Sequence, residues 1–136
     1  MRWLMMLALL LAACGAAEEK SEDPDGRRDR AKPIEMNKVL SDSLTWDVDV
    51  SDWKLIQVKK PGLVFVKVHF DRPNGKCEVY LRDKYGAQLA REVQSNNPYV
   101  ELVRKIEDPG RVFVWLHSPT SKCDTGYALE ARVEPS

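Results

Sequence analysis

LVFVKVHF, residues 63–70, places Val64, Val66, Val68 and Phe70 on one side of an extended chain and the remaining residues on the other. A period of two is the mark of a strand, because successive side chains point to opposite faces of a sheet. Pro61-Gly62 precedes the stretch as a tight turn. Arg72-Pro73-Asn74-Gly75-Lys76 follows it, and its Asn-Gly pair reads as a hairpin loop.

The same rhythm continues in both directions. Leu44–Val50 alternates through Leu44, Trp46, Val48 and Val50, and residues 53–59 alternate around LIQV. Cys77–Asp83 sets Cys77, Val79 and Leu81 on one face. Residues 88–93, 99–106 and 112–117 are further strand candidates, divided by Tyr85-Gly86, Ser95-Asn96-Asn97-Pro98 and Pro109-Gly110. The last, Tyr127–Val133, aligns Tyr127, Leu129, Ala131 and Val133. About eight strands in some ninety residues, with turn signals every eight to twelve, make an all-β pattern with no convincing helix. Every connection is short enough for antiparallel neighbours. The economical architecture is a single antiparallel β-sandwich, jelly-roll-like, over residues 43–136. Residues 63–70 and 112–116 are apolar on both faces at their centres and are expected to be central strands.

Ahead of that domain the composition changes twice. Met1-Arg2 gives a short positive start, and WLMMLALLLAA, residues 3–13, is unbroken by charge. Eleven helical residues reach roughly 16 Å, short of a ~30 Å hydrocarbon core. Residues 1–13 therefore read as a signal peptide. Leu11-Ala12-Ala13-Cys14 resembles the bacterial lipobox, which implies cleavage before Cys14, a diacylglyceryl thioether on its sulfur and acylation of the new amino terminus. Two or three chains on one cysteine hold a protein to a bilayer in a way a single chain does not. Gly15 in the next position leans toward the outer membrane by the enterobacterial sorting rule. Residues 14–42 are expected to be the lipidated cysteine and a flexible tether, since AAEEKSEDPDGRRDRAKP has too little apolar area to offset its ordering entropy. Residues 34–40 admit a brief helix or an extra strand.

The chain carries 21 Lys/Arg and 21 Asp/Glu and is formally neutral; the first thirteen residues hold only Arg2, so the remainder stands at −1. That balance argues against nucleic acid, which demands a dense basic face, and against electrostatic docking on anionic lipid.

From Asp52 onward the order of features resembles the pre-peptidase C-terminal domain family. Asp52-Trp53 opens a strand; Pro61-Gly62 precedes Leu63-Val64-Phe65-Val66; Glu78-Val79-Tyr80-Leu81-Arg82-Asp83 runs on to Gly86; Pro109-Gly110-Arg111-Val112-Phe113-Val114 and Gly126-Tyr127-Ala128-Leu129 follow. The resemblance spans residues 43–134 and implies a compact β-sandwich, a fold on which chemistry is not encoded. Cys77 and Glu78 stand where the family has its acidic pair, Cys123 is an addition, and no peptidase domain is attached.

With Cys14 committed to lipid, Cys77 and Cys123 form an even pair in an exported domain and are expected to be a disulfide. No CxxC and no His beside either Cys points to metal, and no cofactor motif is present. His69 and His117 read as rim residues, and Ser41, Ser43 and Ser51 lack a nucleophile elbow. Asp47, Asp49 and Asp52 alternate at a strand end; calcium is the functional alternative to a plain solvated face. Trp53 and Trp115 are expected in the core, while exposed aromatics would make a sugar or protein contact surface. The expectation is a non-catalytic, membrane-anchored envelope lipoprotein, partnered by the bilayer through Cys14 and by a protein, cell wall or glycan. The alternative is a small metal- or calcium-dependent carbohydrate-binding or hydrolytic protein. Replacing Cys14 with Ser is expected to move the protein from the membrane to the soluble fraction, and a variant that still sediments with membranes would contradict the anchor.

Overall fold

A computed structural model describes residues 24–135. It contains a single 3₁₀ turn, Arg28–Arg30, and nine strands: β1 (Lys32–Pro33), β2 (Leu40–Leu44), β3 (Ser51–Val58), β4 (Gly62–Phe70), β5 (Glu78–Arg82), β6 (Gln88–Val93), β7 (Tyr99–Ile106), β8 (Gly110–His117) and β9 (Thr125–Pro135). Five of them form one sheet in the order β1-β3-β8-β5-β6, and four form the other in the order β2-β9-β4-β7. The all-β sandwich read from the alternation is the fold. Among the described residues no helix is long and apolar enough to cross a membrane.

The core is the inner faces of the two sheets. Val64, Val66, Val68 and Phe70 of β4 and Leu129 and Ala131 of β9 meet Ile56, Val58, Val79, Leu81, Val114 and Leu116 of the opposite sheet, all at most 1% exposed. β4 lies between β9 and β7, and β8 between β3 and β5, so both are central as their apolar runs require. Burial of a Val or Leu side chain contributes about 1.5–3 kcal/mol.

The connections depart from expectation. Only β5 and β6 are joined as a hairpin; β3 to β4, β4 to β5, β6 to β7, β7 to β8 and β8 to β9 each pass from one sheet to the other. The Asn74-Gly75 loop is thus an arch between layers, not a hairpin turn. A short loop brings two strands close in space without dictating that they share a ladder. At Pro61-Gly62 the crossing is tight: a Cβ on Gly62 would stand 2.3 Å from the Glu134 carbonyl oxygen.

Two boundaries also move. The expected strand over residues 44–50 ends at Leu44, where Thr45 and Asp49 exchange backbone hydrogen bonds around Asp47, which has φ 68°. Val48 is consequently 80% exposed instead of packed. Residues 24–42, expected as part of the tether, are docked on the sandwich. Asp25 accepts from the Trp53 amide through its carbonyl at 2.7 Å, β1 pairs in parallel with β3, and β2 pairs with β9. Ile34 and Met36 pack against the core. The expected lipid site Cys14, the signal peptide and the first part of the tether lie outside the described residues.

Cys77 and Cys123 are bridged, with Cα atoms 5.1 Å apart and both side chains fully buried. The link ties the arch before β5 to the loop before β9 across 46 positions of sequence. Removing it by Cys77→Ala with Cys123→Ala is expected to cost about 4 kcal/mol in the chain-entropy picture, a fall of roughly 15 °C in thermal midpoint. Calorimetry that finds the midpoint unmoved would assign the bridge no structural role.

Candidate functional site

β3 carries chemistry on both of its faces. Asp52, Lys54, Ile56 and Val58 point inward, whereas Ser51, Trp53 and Leu55 point outward. The apolar pair Ile56 and Val58 fixes the parity, and Asp52 and Lys54 are carried inside with them.

Lys54 is fully buried and donates to Asp25 and to Asp42 Oδ2, the latter at 2.5 Å. Tyr127 donates its hydroxyl hydrogen to Asp52. Asp42 and Tyr127 belong to the β2-β9-β4-β7 sheet, Asp52 and Lys54 to the other, and Asp25 to the N-terminal segment. The network therefore joins three parts of the molecule at one end of the sandwich. Burial opposes the charge on Lys54, but the hydrogen bonds from Asp25 and Asp42 outweigh it and hold its pKa above the ordinary lysine value. Burial likewise opposes ionisation of Asp42, and the Lys54 ammonium overrides it, so that carboxyl titrates below its usual range. Asp52 goes the other way: desolvation first, then the neighbouring charges of Asp25 and Asp49, push it up to about 9 despite the Tyr127 hydrogen bond. Its Oδ1 is buried with no hydrogen-bond partner among the described residues. Desolvation and the nearby Asp52 charge raise Tyr127.

Oxygen atoms of Asp25, Asp42 and Asp52 lie within 4.8 Å of one another, close enough to serve one cation. Lys54 Nζ already binds two of the three carboxylates. The chain thus supplies its own cation to this cage.

The outer face of the same sheet holds a second, half-buried constellation. Trp53 is registered with Trp115, Trp115 with Tyr80, and Tyr80 with Arg91, so one row crosses β3, β8, β5 and β6. The rings stack: centroids are 5.2 Å apart for Trp53–Trp115 and 4.5 Å for Tyr80–Trp115. Arg91 closes the row 5.5 Å from the Tyr80 ring. Arg82, in the next row, holds its guanidinium 5.0 Å from Trp115, 5.3 Å from Tyr80 and 5.9 Å from Trp53, and donates to the Gly86 carbonyl at 2.8 Å. Arg28 of the docked N-terminal segment reaches the same glycine, whose φ of +85° is a setting that residues with a side chain rarely adopt.

Glu78 organises the other side of the row. It accepts from Arg91 Nη2 at 2.7 Å and from the Tyr80 hydroxyl at 2.5 Å, and faces His117 Nδ1 at 3.3 Å. Partial burial works against its charge, but these hydrogen bonds win and keep its carboxyl below the ordinary glutamate value. The arrangement presents aromatic surface flanked by two planar guanidinium groups and a carboxylate. It is equipped for contact and hydrogen bonding.

The sequence candidates are distributed unevenly over these two places. Trp53 and Trp115, expected in the core, are half-buried on the outer face. His117 borders the aromatic row, while His69 stacks on Tyr99 in the opposite sheet, so the two histidines do not meet. Of the Asp47, Asp49 and Asp52 group, only Asp52 joins the buried cage; its companions are Asp25 and Asp42, and Asp47 sits exposed in the turn. Sequence reasoning missed Lys54, Asp25, Asp42, Arg82 and Arg91. The parity of β3 was the available signal for Lys54.

The Asp52 proton sets a pH dependence. Its folded pKa lies above the unfolded value of 3.8, so the native state holds a proton that the unfolded chain loses, and stability falls as pH rises from about 4 toward 9. The slope reaches at most about 1.4 kcal/mol per pH unit. Asp52→Asn, which mimics the protonated form, is expected to flatten denaturant-midpoint profiles over that window. Profiles of parent and variant that stay parallel would contradict a protonated Asp52.

Scans of the sequence against protein-family models and against curated proteins return no match. Solved structures share the fold. The pre-peptidase C-terminal domain of a Bacillus anthracis collagenase superposes with TM-score 0.64 at 19% identity, covering 75% of this chain and 94% of that one. A periplasmic inhibitor of g-type lysozyme from Aeromonas hydrophila gives 0.53 at 9% identity, over 76% and 96% of the two chains. The Yersinia pseudotuberculosis-derived mitogen gives 0.50 at 15% identity, over 73% and 86%. At these identities the likeness is one of architecture: the chain has the β-sandwich fold of pre-peptidase C-terminal domains.

Proposed function

We propose that this chain is a lipid-anchored, non-catalytic module of the bacterial cell envelope, tethered through Cys14 to the outer membrane, whose sandwich binds an envelope glycan along the outer face of the β1-β3-β8-β5-β6 sheet. The observation that carries the proposal is the Trp53–Trp115–Tyr80–Arg91 row with Arg82 beside it. A two-sheet core needs no aromatic side chains on its solvent side, yet two half-buried indoles stack there. Interleaved Arg, Glu and His side chains add the directional donors and acceptors that hydroxyl-rich ligands require.

A protein partner is the second reading, favoured by the Trp, Tyr and Arg composition common to interface hot spots. Hot spots are anchored in closed, desolvated pockets, whereas this row runs across four strands of a sheet face, and that favours the glycan. For catalysis, the histidines stand in different sheets and the carboxylate cage is occupied by Lys54, which leaves the sequence candidates no assembled acid–base pair.

The docked N-terminal segment supports close tethering. Pro24 follows Cys14 by ten residues, so a fully extended chain would hold the sandwich within about 35 Å of the acyl groups. A glycan lying near the bilayer surface falls inside that reach.

The test is retention of the detergent-solubilised full-length protein on immobilised envelope polysaccharide. Trp115→Ala is expected to reduce affinity at least tenfold, with Arg91→Ala as the milder, more exposed substitution. Lys67→Ala on the opposite sheet is expected to bind as the parent does. Retention indifferent to Trp115 and Arg91, or capture by a protein with no polysaccharide bound, would overturn the glycan assignment.

A further inference from the structure

The disulfide does more than close a loop. Each of its cysteines is preceded by a lysine, Lys76 before Cys77 and Lys122 before Cys123. With the two Cα atoms 5.1 Å apart, the bridge brings both lysines to one groove of about 360 Å³. Arg91, Glu78, Thr120 and Ser121 line it as well, and Val93 and Pro119 give it an apolar floor.

The loops around it are firmly held. A Cβ on Gly75 would lie 3.0 Å from the Lys122 carbonyl oxygen and 3.2 Å from Cys77 Sγ. The buried Gln94 amide binds the Arg72 carbonyl at 2.5 Å, and the Ser118 hydroxyl donates to the Cys123 carbonyl at 2.6 Å. Cys123 donates its amide to the Thr120 carbonyl at 3.0 Å. Lys76 keeps φ at 52°, a backbone setting unfavourable for a residue with a side chain, and the arch imposes it.

The groove is positively biased in a chain that is neutral overall. Its single carboxylate, Glu78, is already engaged by Arg91, Tyr80 and His117. Lys76 and Lys122 are exposed and form no ion pair among the described residues. Arg91 and Glu78 belong to the groove and to the aromatic row alike, so the two surfaces are continuous.

We propose that this groove is an oxyanion subsite, and that the glycan bound along the Trp53–Trp115–Tyr80 row is an acidic one whose carboxylate or phosphate sits among Lys76, Arg91 and Lys122. The proposal rests on the glycan reading above and specifies its ligand class. Two lysines supply charge without fixed geometry, Arg91 adds its charge at the edge while its Nε and Nη2 stay on Glu78, and the hydroxyls of Thr120 and Ser121 supply further donors.

Isothermal titration of the full-length protein with matched probes tests it: a neutral tetrasaccharide, a tetrasaccharide of uronic acids, a phosphorylated sugar and an acidic peptide. The uronate or the phosphosugar is expected to bind roughly tenfold tighter than the neutral probe, with the preference shrinking as salt rises. Comparison of those two identifies which oxyanion the subsite takes. Lys76→Gln with Lys122→Gln, both on the surface, is expected to abolish the preference while leaving neutral binding unchanged. Equal affinity for acidic and neutral sugars would overturn the subsite and leave the glycan reading standing. Binding of the acidic peptide with no sugar bound would overturn both.

Discussion

A single ammonium, that of Lys54, holds the parts of this molecule in their places. It sits in the β1-β3-β8-β5-β6 sheet, binds Asp42 from the opposing sheet and Asp25 from the segment that precedes the first strand. Asp52 and Tyr127 add a second hydrogen bond between the layers two residues along the same strand. Hydrophobic contact alone lets two sheets slide, because it is not directional. These polar links are directional. They fix which end of β3 faces which end of β2 and β9, and they fasten the N-terminal segment where its Arg28 can reach the Gly86 turn.

Burying that many ionisable groups carries a desolvation cost, and a well-packed apolar replacement of such a cluster is often no less stable. The benefit is selection among alternatives. A slip of β3 by one residue would drive Trp53 into the core and expel Lys54, leaving Asp25 and Asp42 as uncompensated carboxylates. Removing one member of a buried pair typically costs about 3–5 kcal/mol. Register error is penalised on the polar side as well as the apolar one. The same choice of register puts Trp53 outside, beside Trp115 and Tyr80, so the inner clasp and the outer row are two consequences of one strand alignment.

Much of this was legible in the residues. The alternation of residues 63–70 and 127–133 gave strands whose inner faces are the observed core, and the pairing of Cys77 with Cys123 followed from their number once Cys14 was set aside. Other features were hidden for physical reasons. Lysine and aspartate are almost always solvated, so Asp52 read as part of a solvated face and Lys54 drew no reading at all, although both share the parity of the apolar Ile56 and Val58. The segment from residue 24 has little apolar area and was expected to stay loose. It is ordered instead by polar contacts, the Asp25 carboxylate and carbonyl, to which a composition argument is blind. Loop length could not reveal that successive strands change sheets, since an arch between layers and a hairpin within one need similar numbers of residues.

The division of labour between the two faces of β3 bears on how this fold accepts function. The core is complete without Trp53, Trp115 or Tyr80; Phe113, nearly buried on the same outer face, meets Trp53 edge-on at 6.2 Å. Arg82 and Arg91 could be exchanged for other polar residues without opening the interior. The outer row is therefore free to vary, whereas the inner clasp is bound to the architecture. The Cys77–Cys123 bridge stands between these roles. Its sulfurs belong to the core, yet the lysines that precede them in the chain project into the groove at the end of the row. Covalent closure in the interior thereby sets the spacing of charge on the surface.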